Sequence, residues 1–129
     1  MKVEINSKHG RMVLPFNGDY IAQQLINYGE YEWYVVEIIK QLSQGYDTGI
    51  ILDIGTNIGT VSLPLARDFP KYQIHSFEIQ PVLIETIKEN IALNNLTNIT
   101  KRATMCLLFQ WNLLAGVCTH ARFVIGVKI

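Results

Sequence analysis

The chain has 129 residues, 49% of them apolar and 17% charged, which suits one folded domain and excludes a disordered segment. Eleven basic and eleven acidic residues cancel, so no overall field draws the molecule to nucleic acid or to an anionic membrane. No apolar run reaches the roughly 18 residues of a membrane span, and "MKVEINSKHG" puts an acid where a secretion signal needs an apolar core, so a cytoplasmic protein is expected.

The balanced charge hides an asymmetry. All eleven acids lie at or before Glu89, whereas residues 90–129 hold Lys101, Arg102, Arg122 and Lys128 and no acid. Both cysteines, Cys106 and Cys118, fall in that tail, at a spacing that matches no zinc or redox motif. Reduced thiols and no metal site are expected.

In chain order, "KVEI" and "RMVLPF" flank "NSKHG", whose Asn, Ser and Gly suit the turn of a hairpin. Asp19 can cap a helix over "YIAQQLINYG" that ends at Gly29. "YEWYVVEIIKQLSQG" places Trp33, Val36, Ile39 and Leu42 near helical spacing and stops at Gly45. "GIILDI" reads as a buried strand of the parallel kind. Thr60 to Asp68 follows as a helix, provided that Pro64 sits in its first turn. "YQIHSFEI" alternates like a second strand, and Pro81 opens a helix with Ile84, Ile87 and Ile91 on one side and Asn94-Asn95 at its end. "NIT" starts a third strand. Strand and helix alternating in this way predict an α/β, Rossmann-like doubly wound sheet, of which this chain supplies the first half behind an N-terminal hairpin and helices.

Within that sheet the segment "ILDIGTNIGTVSL" is the informative one. Ligands of such folds bind beyond the carboxyl ends of the strands, where Asp53 and Gly55 fall. Glycine lets the backbone leave the strand and approach a ligand closely, and Asn57 tolerates positive φ. The spacing D-x-G-x-N-x-G is neither the dinucleotide fingerprint nor a P-loop, since no Gly-Lys-Ser/Thr follows. Glu78 ends the second strand nineteen residues after Gly59, where a carboxylate can accept from both hydroxyls of a ribose. Loop and acid together predict a bound nucleoside. A glycine ending a strand for steric reasons and a solvated acid are the plainer readings of each alone.

The stretches "MVLPFNGDYIAQQLINYGEYEWYVVEIIKQL", "ILDIGTNIGTVSLPLA", "IHSFEIQP" and "IKENIALNNLTNIT" resemble the opening of an FkbM-type S-adenosylmethionine-dependent methyltransferase. The resemblance runs from about residue 12 to residue 100 of a single domain spanning 1–129. It implies that Asp53, Gly55, Thr56, Asn57 and Gly59 line the methionine and ribose side of S-adenosylmethionine. It also implies Glu78 on the ribose with Ile79 beside it, and Glu32, within a match to the family's G-x-Y-E, near the cofactor's amino-acid end. Methyl transfer to a hydroxyl of a sugar or other small molecule is the implied activity. A non-catalytic, truncated module that binds the cofactor or a partner chain is the alternative. From Lys101 onward nothing matches the family pattern, and its later K-x-D-x-E-G-x-E segment is absent from this sequence. A frameshifted or prematurely ended reading frame is the expectation this raises.

A hydroxyl acceptor needs a base, and none is assigned. His75 lies mid-strand, where a packed role is the commoner one; His9 lies in a turn and His120 in the tail. Tyr31, Trp33 and Tyr34 are either an acceptor platform or core. "MCLLFQWNLLAGVC" is too short and too polar to span a membrane. A sheet that stopped after three strands would leave "IILDI" as an edge open to self-association. "RFVIGVKI" alternates well enough to fill that place as a parallel neighbour, with "TMCLLFQWNLLAG" as its crossover helix.

Overall fold

A computed structural model of the chain describes residues 2–15, 19–103 and 123–127. The expectations placed on Cys106, Cys118, His120, Arg122, Lys128 and the crossover segment "TMCLLFQWNLLAG" lie outside the described residues.

Strands β1 (Lys2–Ser7) and β2 (Gly10–Pro15) form the expected antiparallel hairpin, with Lys8 and His9 as its turn. Helix α1 (Tyr20–Tyr28) starts where the Asp19 side chain accepts the Ala22 amide at 2.7 Å, and it ends at Gly29 in the left-handed region. Helix α2 (Trp33–Leu42) buries Val36 and Ile39, but Leu42, expected on the same stripe, is 73% exposed because the helix ends there.

Strand β3 (Ile50–Ile54), helix α3 (Ser62–Asp68), strand β4 (Gln73–Glu78), helix α4 (Pro81–Leu93) and strand β5 (Ile99–Ala103) follow as two consecutive parallel crossovers. Pro64 is the third residue of α3, inside the first turn as required. Both crossovers step the same way along the sheet, so right-handedness sets α3 and α4 on one face. That face buries Ile51, Asp53, Ile74, Ser76 and Glu78, while Leu52, His75 and Phe77 on the other are half-buried.

A further strand, β6 (Phe123–Val127), completes the order β5-β4-β3-β6. The place beside β3 is therefore filled, but the partner runs antiparallel, not parallel as expected. The end points supply the reason. Strand β5 finishes at the carboxyl end of the parallel strands, and Phe123 opens β6 opposite Ile54 at that same end, so β6 runs back against the other three.

Two cores result. Met12, Leu14, Ile21, Leu25, Ile58 and Leu83 join the hairpin and α1 to α4; Val36, Ile51, Val61, Leu65, Tyr72 and Ile74 join α2 and α3 to the sheet. The stripe expected on α4 is rotated. Leu83, Thr86, Ile87 and Asn90 are its buried residues, and Ile84 and Ile91 sit at the flanks.

Asn90 and Asn94 explain the rotation. The Asn90 amide accepts from the Val13 N–H at 2.6 Å and donates to the Val13 carbonyl at 3.2 Å. Asn94 does the same to Arg11, at 3.0 and 2.7 Å. Four helical residues rise about 6 Å and two strand residues about 6.6 Å, so side chains at i and i+4 meet backbone groups at j and j+2. The pair acts as a short surrogate strand along β2.

Candidate functional site

Two acids stand at the carboxyl ends of neighbouring parallel strands, and the chain between β3 and α3 wraps around both. After Ile54 the backbone turns at Gly55 (φ 80), where the amides of Gly55 and Thr56 converge on the Phe77 carbonyl at 3.0 Å. Asn57 holds φ 54, with its side-chain oxygen accepting the Ile58 amide at 2.9 Å. At Gly59 (φ 98) a Cβ would lie 3.1 Å from Leu63 and 3.3 Å from Ile87. A side chain there is excluded by backbone strain and crowding together.

Asp53 is fully buried beneath this loop. Its Oδ2 accepts from the Thr56 hydroxyl at 2.9 Å and the Ser62 hydroxyl at 2.6 Å. A hydroxyl has one proton to give. Ser62 therefore accepts at its oxygen from Ser76, 2.5 Å away. The polarity runs Ser76 to Ser62 to Asp53, with Thr56 donating from the other side.

Glu78 is 8% exposed and is satisfied differently. Oε1 accepts the amides of Ile79 and Gln80 at 2.8 and 3.0 Å, and Oε2 accepts the amide of Asn57 at 3.0 Å. Three of the roughly four acceptor sites of a carboxylate are thus taken by backbone. Beside it Ile54, Ile79 and Val82, 36%, 71% and 66% exposed, leave apolar surface at the carboxyl end of the sheet.

Asp53, Gly55, Thr56, Asn57, Gly59, Glu78 and Ile79 are therefore brought together, but not all in one orientation. The side chains of Asp53 and Thr56 point into the hydroxyl network, while Glu78 and Ile79 stand at the surface edge. Glu32 stands at the start of α2 with φ 52. It lines a cleft of about 410 Å³ with Tyr20, Gln24, Tyr28, Glu30 and Tyr31. His9, expected in a turn, is 1% exposed. Its Nε2 accepts the Tyr31 amide at 2.9 Å, so Nδ1 carries the proton and donates to the Thr60 carbonyl. One imidazole joins the wall of the cleft to the end of the motif loop.

Ser62, Ser76, Asn90 and His9 carry no recognisable motif. The available signal was a small polar residue inside an apolar run, as in "VSLPLA" and "IHSFEI". Asn90 reaches the loop as well, donating to the Ile58 carbonyl at 3.0 Å. Among the described residues no group of His, Cys, Asp and Glu could hold a metal ion, and no helix is long and apolar enough to cross a membrane.

No family model matches the chain. A stretch of 64 residues is 34% identical to a probable ribosomal RNA small subunit methyltransferase A of Methanosphaera stadtmanae, covering 50% of this chain and 23% of that protein. Another of 45 residues is 42% identical to the methyltransferase sdnD of Sordaria araneosa, covering 35% and 17%. Among solved structures, Trm5b from Pyrococcus abyssi superposes with a TM-score of 0.57 at 20% identity, over 78% of this chain and 27% of that one. The tRNA (uracil-54, C5)-methyltransferase of the same organism, in complex with S-adenosyl-L-homocysteine, gives 0.53 at 18%, over 78% and 24%. Coclaurine N-methyltransferase bound to N-methylheliamine and SAH gives 0.50 at 16%, over 70% and 25%. The matches span about a quarter or less of the length of these proteins. The described chain is an α/β fold with a largely parallel main sheet and flanking helices, the fold of these methyltransferase structures.

Proposed function

We propose that the chain binds S-adenosylmethionine across the carboxyl ends of β3 and β4 and serves methyl transfer to a hydroxyl of a sugar or other small molecule in the cytoplasm. The observation that carries the cofactor is Glu78, buried yet at the rim, holding the motif loop by the Asn57 amide next to exposed Ile54, Ile79 and Val82. One acceptor site on Oε2 remains for a ribose hydroxyl, and the apolar trio offers a surface for a base. The backbone at Gly55 has no Cβ to keep a ligand away. Bound there, S-adenosylmethionine supplies an electrophilic methyl group on a sulfonium. The chain's part is to fix its position, which is a large share of catalysis in a two-reactant step.

The FkbM-type resemblance supports the hydroxyl acceptor. The similar proteins bear names that cover ribosomal RNA, tRNA and N-methylation, so acceptors vary across this fold. A second reading, a binding module without turnover, is favoured by the two carboxylates at the site. Asp53 serves hydroxyls and Glu78 serves amides, and neither is placed to take a proton from an acceptor.

Calorimetric titration with S-adenosylmethionine tests the cofactor, and a methyl-transfer assay on hydroxylated acceptors then separates the readings. Gly55→Val should abolish binding, with circular dichroism reporting separately on the fold, since valine strains a backbone at positive φ. Binding without turnover selects the module, and wild-type affinity in Gly55→Val removes the nucleoside site altogether.

A further inference from the structure

The peptide group between Ile58 and Gly59 is pinned at both ends. Its N–H donates to the Thr56 carbonyl at 2.9 Å, closing the turn that carries Asn57, whose own amide goes to Glu78. Its carbonyl accepts from the Asn90 side chain at 3.0 Å. Gly59 holds φ 98, and glycine reaches positive and negative φ about equally, so the residue itself does not choose this peptide orientation. The bonds choose it.

We infer that Asn90 is a positioning residue of the cofactor site. It holds the Ile58–Gly59 peptide, and through it the Asn57 amide, in place against hairpin strand β2; the role rests on the S-adenosylmethionine reading. Asn90 is fully buried, and its amide serves two neighbours at once. The oxygen accepts the Val13 amide at 2.6 Å. The two protons of the nitrogen go one to the Val13 carbonyl at 3.2 Å and one to the Ile58 carbonyl at 3.0 Å. Two carbonyls on one side and an N–H on the other fix which end of the amide is nitrogen. Strand β2 therefore aims the side chain, and the side chain aims the loop. The turn of the same hairpin holds the chain just past Gly59, where His9 donates to the Thr60 carbonyl. Asn94 supplies an internal comparison. It grips Arg11 with the same donor and acceptor pair, but its other proton goes back to the Asn90 carbonyl of its own helix at 2.7 Å. One asparagine serves the hairpin alone; the other serves the hairpin and the loop.

The test sets Asn90→Ala against Asn94→Ala in the full chain. The readouts are calorimetric titration with S-adenosylmethionine and, in the cofactor-free protein, hydrogen exchange of the Gly59 amide relative to the β4 amide of Ile74. Both variants release a rung along β2 and should lower the urea midpoint. Asn90→Ala should in addition raise the Kd about fivefold or more and speed Gly59 exchange by a similar factor. Asn94→Ala should leave both within about twofold of wild type. Should Asn90→Ala not fold, Asn90→Asp keeps the Val13 amide bond and sets an oxygen without a proton against the Ile58 carbonyl, so the same two losses are expected. Wild-type affinity in a folded Asn90 variant, or equal losses of affinity in the Asn90 and Asn94 variants, overturns the proposal. A wild-type chain that takes up no S-adenosylmethionine removes the cofactor reading instead. Gly59 exchange then decides alone, and an unchanged rate relative to Ile74 in the Asn90 variant overturns the hold on the loop.

Discussion

Asp53 and Glu78 are the same functional group at matching ends of adjacent strands, yet the chain uses them in opposite ways. Asp53 faces inward and collects hydroxyl protons from Thr56 and Ser62. Glu78 faces the rim and collects backbone amides from Asn57, Ile79 and Gln80. The first arrangement fixes the interior of the loop against α3; the second fixes where the loop stops and α4 begins. Burial alone does not separate them, as both are under a tenth exposed. The donor type does. Hydroxyls can be re-aimed by rotation, but backbone amides cannot, so Glu78 is held in one place while its remaining lone pair stays accessible.

Substitutions turn this contrast into measurements. Asp53→Ala removes the acceptor shared by two buried hydroxyls and should cost about 3 kcal/mol of stability, read as a lower urea midpoint. An unchanged midpoint would show that the hydroxyl network is no strut. Glu78→Ala should weaken S-adenosylmethionine by about 1–3 kcal/mol in calorimetry, with a smaller loss of stability than Asp53→Ala. The comparison breaks if the two variants exchange their effects. Ser62→Ala removes the relay between Ser76 and Asp53, and about 1–2 kcal/mol of stability should go with it, leaving cofactor affinity within twofold of wild type.

The smallest effect belongs to a third acid, Asp68, at the end of α3. Burial raises its pKa, but hydrogen bonds from Arg67 and Lys40 outweigh this and hold it below the usual 3.8. A carboxyl depressed on folding stabilises the protein above its unfolded pKa, and that contribution fades as pH falls through the folded value. The midpoint difference between wild type and Asp68→Asn should therefore be present at pH 6 and shrink below about pH 4, amounting to less than about 1 kcal/mol for so open a pair.

The elements were legible because their signals are local. Asp19 and Gly29 bracket α1, Pro81 opens α4, and the alternation in "YQIHSFEI" is visible without knowing its neighbours. The motif loop was legible for the same reason, since Gly55, Asn57 and Gly59 are needed by their own backbone angles. What escaped were polar residues whose partners are remote in sequence. Asn90 carries no signal of its own until Val13 is set against it, 77 positions away, and His9 reads as a turn residue until Thr60 arrives, 51 positions away. The direction of β6 was hidden too, because alternation fixes the face of a strand but not its sense.

The surrogate strand made by Asn90 and Asn94 carries a consequence for the order in which the protein is made. The hairpin leaves the ribosome well before α4, yet a two-stranded hairpin alone is marginal in water. Its second edge and the core under Met12 and Leu14 are completed only when α4 has emerged. At synthesis rates of about 5–20 residues per second the hairpin waits roughly 4–16 seconds for its asparagines. During that wait the outward amides of Arg11 and Val13 are open to any strand nearby, and the nascent chain is at its most vulnerable to a wrong partner.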